Sequence, residues 1–426
     1  MDFVSTRGSA PVALSAAIAR GQAPDGGLFM PTEIPKQAGP WGDSLQERAI
    51  RSMEPFFDGD ALRPHLRDIV LESLDFQAPT KWINEHTGLL ELFWGPTAAF
   101  KDFGARFLAS CLARLFAPEG RRTVLVATSG DTGAAVAAAF HRRPGFRVVV
   151  LYPDNRVSAR QAHQLGAFGG NVATYRVDGT FDDCQRLAKA AFADPALTES
   201  HGLVSANSIS LGRLFPQMSY FVHASVAARE EGRPTPNFVI PTGNLGNAFA
   251  CLLARESGIP IGKVVLASNN NRVIPEYLQT GRYEPRDSVE TLANAMDVGA
   301  PSNLERLRHL FVEPADVVRG QWVDDDAIRS TIRATFEHTG EIVCPHTACA
   351  IAVCRRLQSG DDPDDRKGDW IVAATAHPAK FADVVEPLIG QEIEVPTSLR
   401  ELIERPTLAL PLKPTLDSLS SVLRQS

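Results

Sequence analysis

Between residues 89 and 374 the chain repeats one pattern: a short apolar run, a polar turn, then a longer stretch with helical spacing. The runs fall at residues 89–93, 123–127, 146–152, 237–240, 264–267 and 370–374. Their length and the turn residues that bound them predict strands. Residues 104–115 and 134–140 read as the helices that follow two of them. Apolar strands alternating with helices predict an α/β fold with two open, largely parallel sheets covered by helices on both faces. Residues 1–90 read as a mainly helical lead-in, with a helix at 13–20 and a loop marked by Asp25-Gly26-Gly27, Pro31 and Pro35. Residues 91–225 and 226–400 are expected to form the two α/β domains. Residues 401–426 read as a tail: a loop carrying Pro406, Pro411 and Pro414, then a short helix.

Composition narrows the class. The chain has 426 residues, too many for one ordinary core. Apolar residues make up 44% and charged residues 22%, the usual balance of a globular protein. A net charge of −7 argues against nucleic acid as a main partner. No apolar run is long enough to span a bilayer, and the start lacks the basic-then-apolar order of a secretory signal. Six cysteines in a chain this long do not make a disulfide framework, so the expected compartment is the cytoplasm. Cys344, His346, Cys349 and Cys354 lie close together. Cys349 and Cys354 are five apart on a predicted helix and point to different faces, so buried thiols are expected there and no metal site.

The chemistry begins at Lys101, set between Phe100 and Phe103. Rings on both sides would desolvate its ammonium, lower its pKa and favour the neutral amine, the form that attacks an aldehyde. Alone, such a lysine more often snorkels to water. Three polar turns at predicted strand ends change the balance, because ligands in open α/β sheets bind there. Thr128-Ser129-Gly130-Asp131-Thr132-Gly133 offers hydroxyls and free N–H groups to a carboxylate or a phosphate, although Ser, Asp and Thr are also ordinary caps. Pro241-Thr242-Gly243-Asn244-Leu245-Gly246-Asn247 suits an anion cradle. It lacks both the Gly-Lys-Ser/Thr of a P-loop and the Gly-x-Gly-x-x-Gly of a dinucleotide site, which suggests a small phosphorylated cofactor. The turn at 373–380 places Thr375 where a hydroxyl can meet a ring nitrogen. An amine for an aldehyde, a cradle for a phosphate and a partner for a ring nitrogen together fit pyridoxal 5′-phosphate.

These segments also carry a resemblance over nearly the whole chain. Ser5-Thr6-Arg7-Gly8, residues 23–28, 95–97, 100–104, 128–133, Asn207-Ser208-Ile209, 241–247, Ala295-Met296-Asp297-Val298, Pro301-Ser302-Asn303, Pro345-His346-Thr347-Ala348 and 375–380 resemble, in order, the motifs of the threonine synthases. That family belongs to the fold-type II pyridoxal-phosphate enzymes, whose fold is like that of tryptophan synthase β. Two departures are visible: Trp94 where a histidine is expected, and Cys344 where an acidic residue is common.

The resemblance implies roles. Lys101 would bind the cofactor as an imine and act as the catalytic base. Gly243, Asn244, Leu245, Gly246 and Asn247 would bind its phosphate, Thr375 would face its ring nitrogen, and Asp131 its ring hydroxyl. Ser129 and Thr132 would take the substrate carboxylate, and Asn207, Ser208 and Arg213 the substrate phosphate. The implied reaction converts O-phospho-L-homoserine and water to L-threonine and phosphate, in a monomer or homodimer with no membrane partner. Two rivals stand beside it. One is a related phospho-lyase or dehydratase releasing 2-oxobutyrate and ammonia. The other is a non-catalytic binding protein on the same fold.

Overall fold

Six strands make the larger sheet of the computed structural model, which describes residues 1–154 and 157–424. Their order is Arg319–Trp322, Val264–Ser268, Asn237–Pro241, Trp370–Ala374, Thr87–Glu91 and Thr80–Asn84. All neighbours are parallel except the last pair, a hairpin. Asn237–Pro241, Val264–Ser268 and Trp370–Ala374 are buried at every position, as strands covered on both faces must be. The second sheet runs Leu410–Leu412, Val172–Val177, Phe146–Pro153, Arg122–Ala127 and Leu203–Ser205, parallel throughout. The predicted α/β class with two largely parallel sheets holds.

Three particulars differ from the sequence expectation. The strand expected at 89–93 spans Thr87–Glu91, and it pairs with Trp370–Ala374 although the two are far apart in sequence. The helical lead-in also holds a small antiparallel sheet of Asp2–Ser5, Val12–Ala13 and Phe29–Pro31. The tail is more than a loop and a helix: Leu410–Leu412 extends the second sheet beside Val172–Val177. Pro411 sits in that strand because an edge position leaves one side without ladder bonds to make.

The helix Leu211–Glu230 is buried along most of its length. It packs against the helix Leu45–Met53 and against Lys101–Leu115 and Gly246–Glu256, two helices that follow strands of the larger sheet. Phe103, Phe107, Phe215 and Tyr220 are fully buried in this core. Burying each such ring is worth about 1.5–3 kcal/mol.

Candidate active site

Three adjacent parallel strands of the larger sheet end at three predicted site elements. Thr87–Glu91 leads to Lys101, Trp370–Ala374 to Thr375, and Asn237–Pro241 to the loop at 242–247. The turn before Lys101 is tied to the turn at Thr375: Phe100 N donates to Thr375 O at 2.8 Å, and His377 N to Ala98 O at 3.0 Å. Ala98 takes φ 53, a left-handed conformation that a residue with a Cβ adopts at a cost in strain. Asp102 holds this turn, accepting from Thr97 N at 2.8 Å and Thr97 Oγ1 at 2.7 Å. Any Cβ on Gly95 would lie 2.5 Å from Asp102 Oδ2, so only glycine fits.

Lys101 opens the helix Lys101–Leu115. Burial lowers its pKa to about 8, with Asp131 opposing the shift and Arg213 and Lys380 adding to it. The Phe100 ring lies beside the amine, its centroid 5.5 Å from Nζ. Phe103 does not, which corrects the expectation of rings on both sides. It packs in the core against Phe76 at 4.8 Å and Tyr220 at 5.0 Å, because two residues of helix turn it to the opposite face. Lys101 Nζ makes no ion pair or hydrogen bond among the described residues.

The loop at 242–247 has the form of an anion cradle. Leu245 takes φ 62 and caps the helix Gly246–Glu256. A Cβ on Gly243 would lie 2.8 Å from Met296 Cα, a backbone atom that cannot yield cheaply. Neutral side chains fix the loop: Asn303 Nδ2 donates to Asn244 O at 2.9 Å, Ser302 N to Asn244 Oδ1 at 2.6 Å, and Thr242 Oγ1 to Asn247 Oδ1 at 2.8 Å. No acceptor among the described residues takes the N–H groups of Gly243, Asn244, Leu245 or Gly246. Unpaired donors at a helix start are what a phosphate needs. Thr375 is 5% exposed, and its hydroxyl likewise has no partner among the described residues. The amine, the cradle and the hydroxyl fit pyridoxal 5′-phosphate.

The second sheet supplies the facing edge. Arg122–Ala127 leads to the turn at 128–133, and its neighbour Leu203–Ser205 leads to Asn207 and Ser208. Thr128 Oγ1 accepts from Gly130 N at 2.9 Å and Gly133 N at 2.8 Å, which shapes the turn from within. Ser129 and Thr132 are half-buried beside it. Asp131 is buried, and burial alone would raise its pKa. The charges of Lys380 and Lys101 outweigh that and hold it well below the usual range. Ser208 Oγ donates to Asn207 Oδ1 at 3.2 Å and accepts from Asn244 Nδ2 at 2.7 Å, joining this edge to the cradle.

Arg213 stands apart from these two. It is 2% exposed and donates through Nη1 to Ala206 O at 2.7 Å, just before Asn207. Its Nε has no partner among the described residues. Burial lowers its pKa to about 10, against the pull of Asp102. A Cβ on Gly104 would lie 2.7 Å from Arg213 O, so that glycine lets the two helices close.

Four residues at the site were given no role by sequence reasoning. Lys380 pairs with Asp131, Gln161 Nε2 donates to Asp131 Oδ1 at 3.0 Å, and Asn294 Nδ2 donates to Gln161 Oε1 at 3.1 Å. His346 Nε2 accepts from Ala295 N at 3.1 Å, and burial lowers its pKa to about 4, so the ring is neutral. Lys380 and His346 lie inside quoted motifs; Gln161 and Asn294 carried no local signal. Cys344 caps the helix Pro345–Ser359 through Thr347 N at 3.5 Å. Trp94 donates to Glu91 at 2.9 Å. Among the described residues, no group of three or more His, Cys, Asp or Glu is arranged to hold a metal, and no helix is long and apolar enough to cross a membrane.

The two largely parallel sheets are those of the fold-type II pyridoxal-phosphate-dependent enzymes, and residues 90–368 match the family described as "Pyridoxal-phosphate dependent enzyme". Residues 2–74 match the threonine synthase N terminus and residues 347–422 the threonine synthase C-terminal region. The threonine synthase of Serratia marcescens is 38% identical over 97% of this chain and 96% of its own. The crystal structure of threonine synthase from Escherichia coli matches with a TM-score of 0.92 at 34% identity, covering 100% of this chain and 99% of that one. A PLP-bound threonine synthase from Brucella melitensis matches with a TM-score of 0.90 at 31% identity, covering 100% and 99%. This chain belongs to the threonine synthase family.

Proposed function

We propose that the substrate is O-phospho-L-homoserine, converted with water to L-threonine and phosphate. The match to threonine synthases over the whole chain carries this reading, and room for two phosphates at the site supports it. The cradle at 243–247 suits a cofactor phosphate, and Asn207 and Ser208 beside it, with Arg213 behind them on Ala206 O, would take a second phosphate. When bound, pyridoxal 5′-phosphate supplies an aldehyde and an electron sink. Lys101 Nζ would hold the cofactor and would act as the base for the substrate α-proton; its lowered pKa suits it to that work near neutral pH. Lys101 also serves the later proton transfers on the same face. Ser129 and Thr132, with the N–H groups of their turn, bind the substrate carboxylate. Thr375 would offer a neutral hydroxyl to the ring nitrogen, which unlike a carboxylate would not favour its protonated form. Asp131 would lie near the ring hydroxyl. Six buried free cysteines support a reducing cytoplasm, and we read the enzyme as a monomer or homodimer.

The test is direct. Purified protein incubated with O-phospho-L-homoserine should yield threonine and phosphate in equal amounts. Borohydride should fix the cofactor to the peptide containing Phe100-Lys101-Asp102. Release of 2-oxobutyrate and ammonia as main products would favour the dehydratase or phospho-lyase reading instead.

A further inference from the structure

Two lysines face one carboxylate in this site. Lys380 is 1% exposed and Asp131 4%, and Lys380 Nζ lies 2.9 Å from Asp131 Oδ1. Lys380 Nζ also donates to Thr97 O at 2.8 Å, so its ammonium is held by two acceptors. Gln161 adds a second donor to the same Oδ1, and Asn294 keeps the Gln161 amide from turning. Lys101 is close enough to feel the charge of Asp131, yet it forms no ion pair with it. The neighbouring acid, Asp102, has both oxygens on Thr97. Asp102 is thus taken up at both oxygens and Asp131 at Oδ1. The charged and titratable groups facing Lys101 are Asp131, Arg213, Lys380 and the neutral ring of His346.

We propose that Lys380 is a positioning residue: by holding Asp131 Oδ1 it keeps that carboxylate out of a direct ion pair with Lys101 and leaves the Lys101 amine free to condense with the cofactor aldehyde. In that condensation the nitrogen lone pair bonds to the aldehyde carbon, and the two amine protons leave with the aldehyde oxygen as water. A protonated amine has no lone pair to give. Without Lys380, Asp131 would turn to Lys101 and hold it as an ammonium. Without Asp131, two cations would bear on Lys101 unopposed and drive it further toward the neutral form. The two losses thus act in opposite directions, which a merely structural role would not produce. The ion pair has the second task of keeping Asp131 charged. A buried carboxylate that loses its partner is strongly destabilising, so the lone Lys380→Met protein is the variant most at risk of not folding.

The inference rests on Lys101 being the cofactor lysine, and its test is made separable from that reading. The full chain, freed of cofactor, is trace-acetylated with acetic anhydride from pH 6 to 10, and the peptide containing Lys101 is quantified against exposed Lys367. At pH 7, Lys380→Met should slow labelling of Lys101 roughly tenfold, the effect of raising its pKa by about one unit. Asp131→Asn should speed labelling several-fold. The double variant Asp131→Asn with Lys380→Met should return close to the parent, and Lys380→Arg should match it. Should Lys380→Met fail to fold, the Asp131→Asn and double variants carry the test, since they leave no unpaired carboxylate. Unchanged labelling in Lys380→Met overturns the proposal. So does slower labelling in Asp131→Asn, or a double variant that does not return. If borohydride fixes the cofactor to another lysine, the cofactor reading fails, while the labelling series still decides whether Lys380 controls Lys101.

Discussion

The two anion sites that we assign to phosphates are built from different materials. The cradle at 243–247 uses backbone N–H groups, a left-handed Leu245 and neutral side chains that brace the loop. No lysine or arginine hydrogen-bonds to that loop among the described residues. The second site, at Asn207 and Ser208, is backed by a buried guanidinium whose Nη1 is on Ala206 O. Geometry dominates one site and charge the other. A cofactor phosphate stays through every turnover, so a rigid, preorganised cradle suits it. A substrate phosphate must be gripped, released from carbon and let go. A buried charge draws a dianion strongly and leaves the bound group no closed nest to escape. The two sites meet at one hydrogen bond, Asn244 Nδ2 to Ser208 Oγ at 2.7 Å.

The largest effect should come from the charge. Arg213→Leu should weaken O-phospho-L-homoserine by roughly 2–4 kcal/mol, the range for removing one partner of a buried charged pair. Cofactor retention, measured by absorbance after dialysis, should stay within about twofold, because the cradle is untouched. Arg213→Lys should restore only part, since a point charge cannot reproduce the planar fork. Loss of cofactor from Arg213→Leu would mean that the two sites are assigned the wrong way round.

How much of this was legible depends on sequence distance. Lys101, Thr375 and Gly243 to Asn247 could be read because each lies in a short segment whose chemistry is local: an amine, a hydroxyl, a run of turn formers after an apolar strand. The α/β class followed from the same alternation. Lys380 reaching Asp131, and Asn294 reaching Gln161, could not be read that way, since only the fold brings those partners together. Phe103 was misjudged for a physical reason. Adjacency in sequence suggested a ring beside the amine, but helix geometry sends it to the core. The strand Leu410–Leu412 was hidden by its proline, and the pairing of Thr87–Glu91 with Trp370–Ala374 by the long crossover between them. Three-residue strands such as Phe29–Pro31 leave almost no periodic signal.

A middling effect should come from the geometry. Gly243→Ala places its Cβ 2.8 Å from the Met296 backbone, so the cradle or the segment at 293–297 must shift. Overpacking of this kind costs about 1–3 kcal/mol. It should appear as weaker cofactor binding in reconstitution titrations. Substrate KM, measured with saturating cofactor, should move less. If Gly243→Ala instead raised KM and left cofactor affinity alone, backbone geometry at 243 would not be serving the cofactor.

The smallest and most discriminating effect lies at the link. Ser208→Ala removes the acceptor for Asn244 Nδ2 and the hydroxyl offered to the substrate phosphate. Asn244 keeps its other two bonds, from Ser302 N to Oδ1 and from Asn303 Nδ2 to its carbonyl. One lost hydrogen bond is worth about 0.5–1.5 kcal/mol. If the sites are separate devices that only touch, that loss should fall on substrate affinity, as a rise in KM of roughly threefold to tenfold. Cofactor affinity should change little, because the cradle's own bracing survives. Equal losses in both would show that Ser208 and Asn244 work as one unit. The division between a geometric and a charged phosphate site would then describe how the two are built, and not how they function.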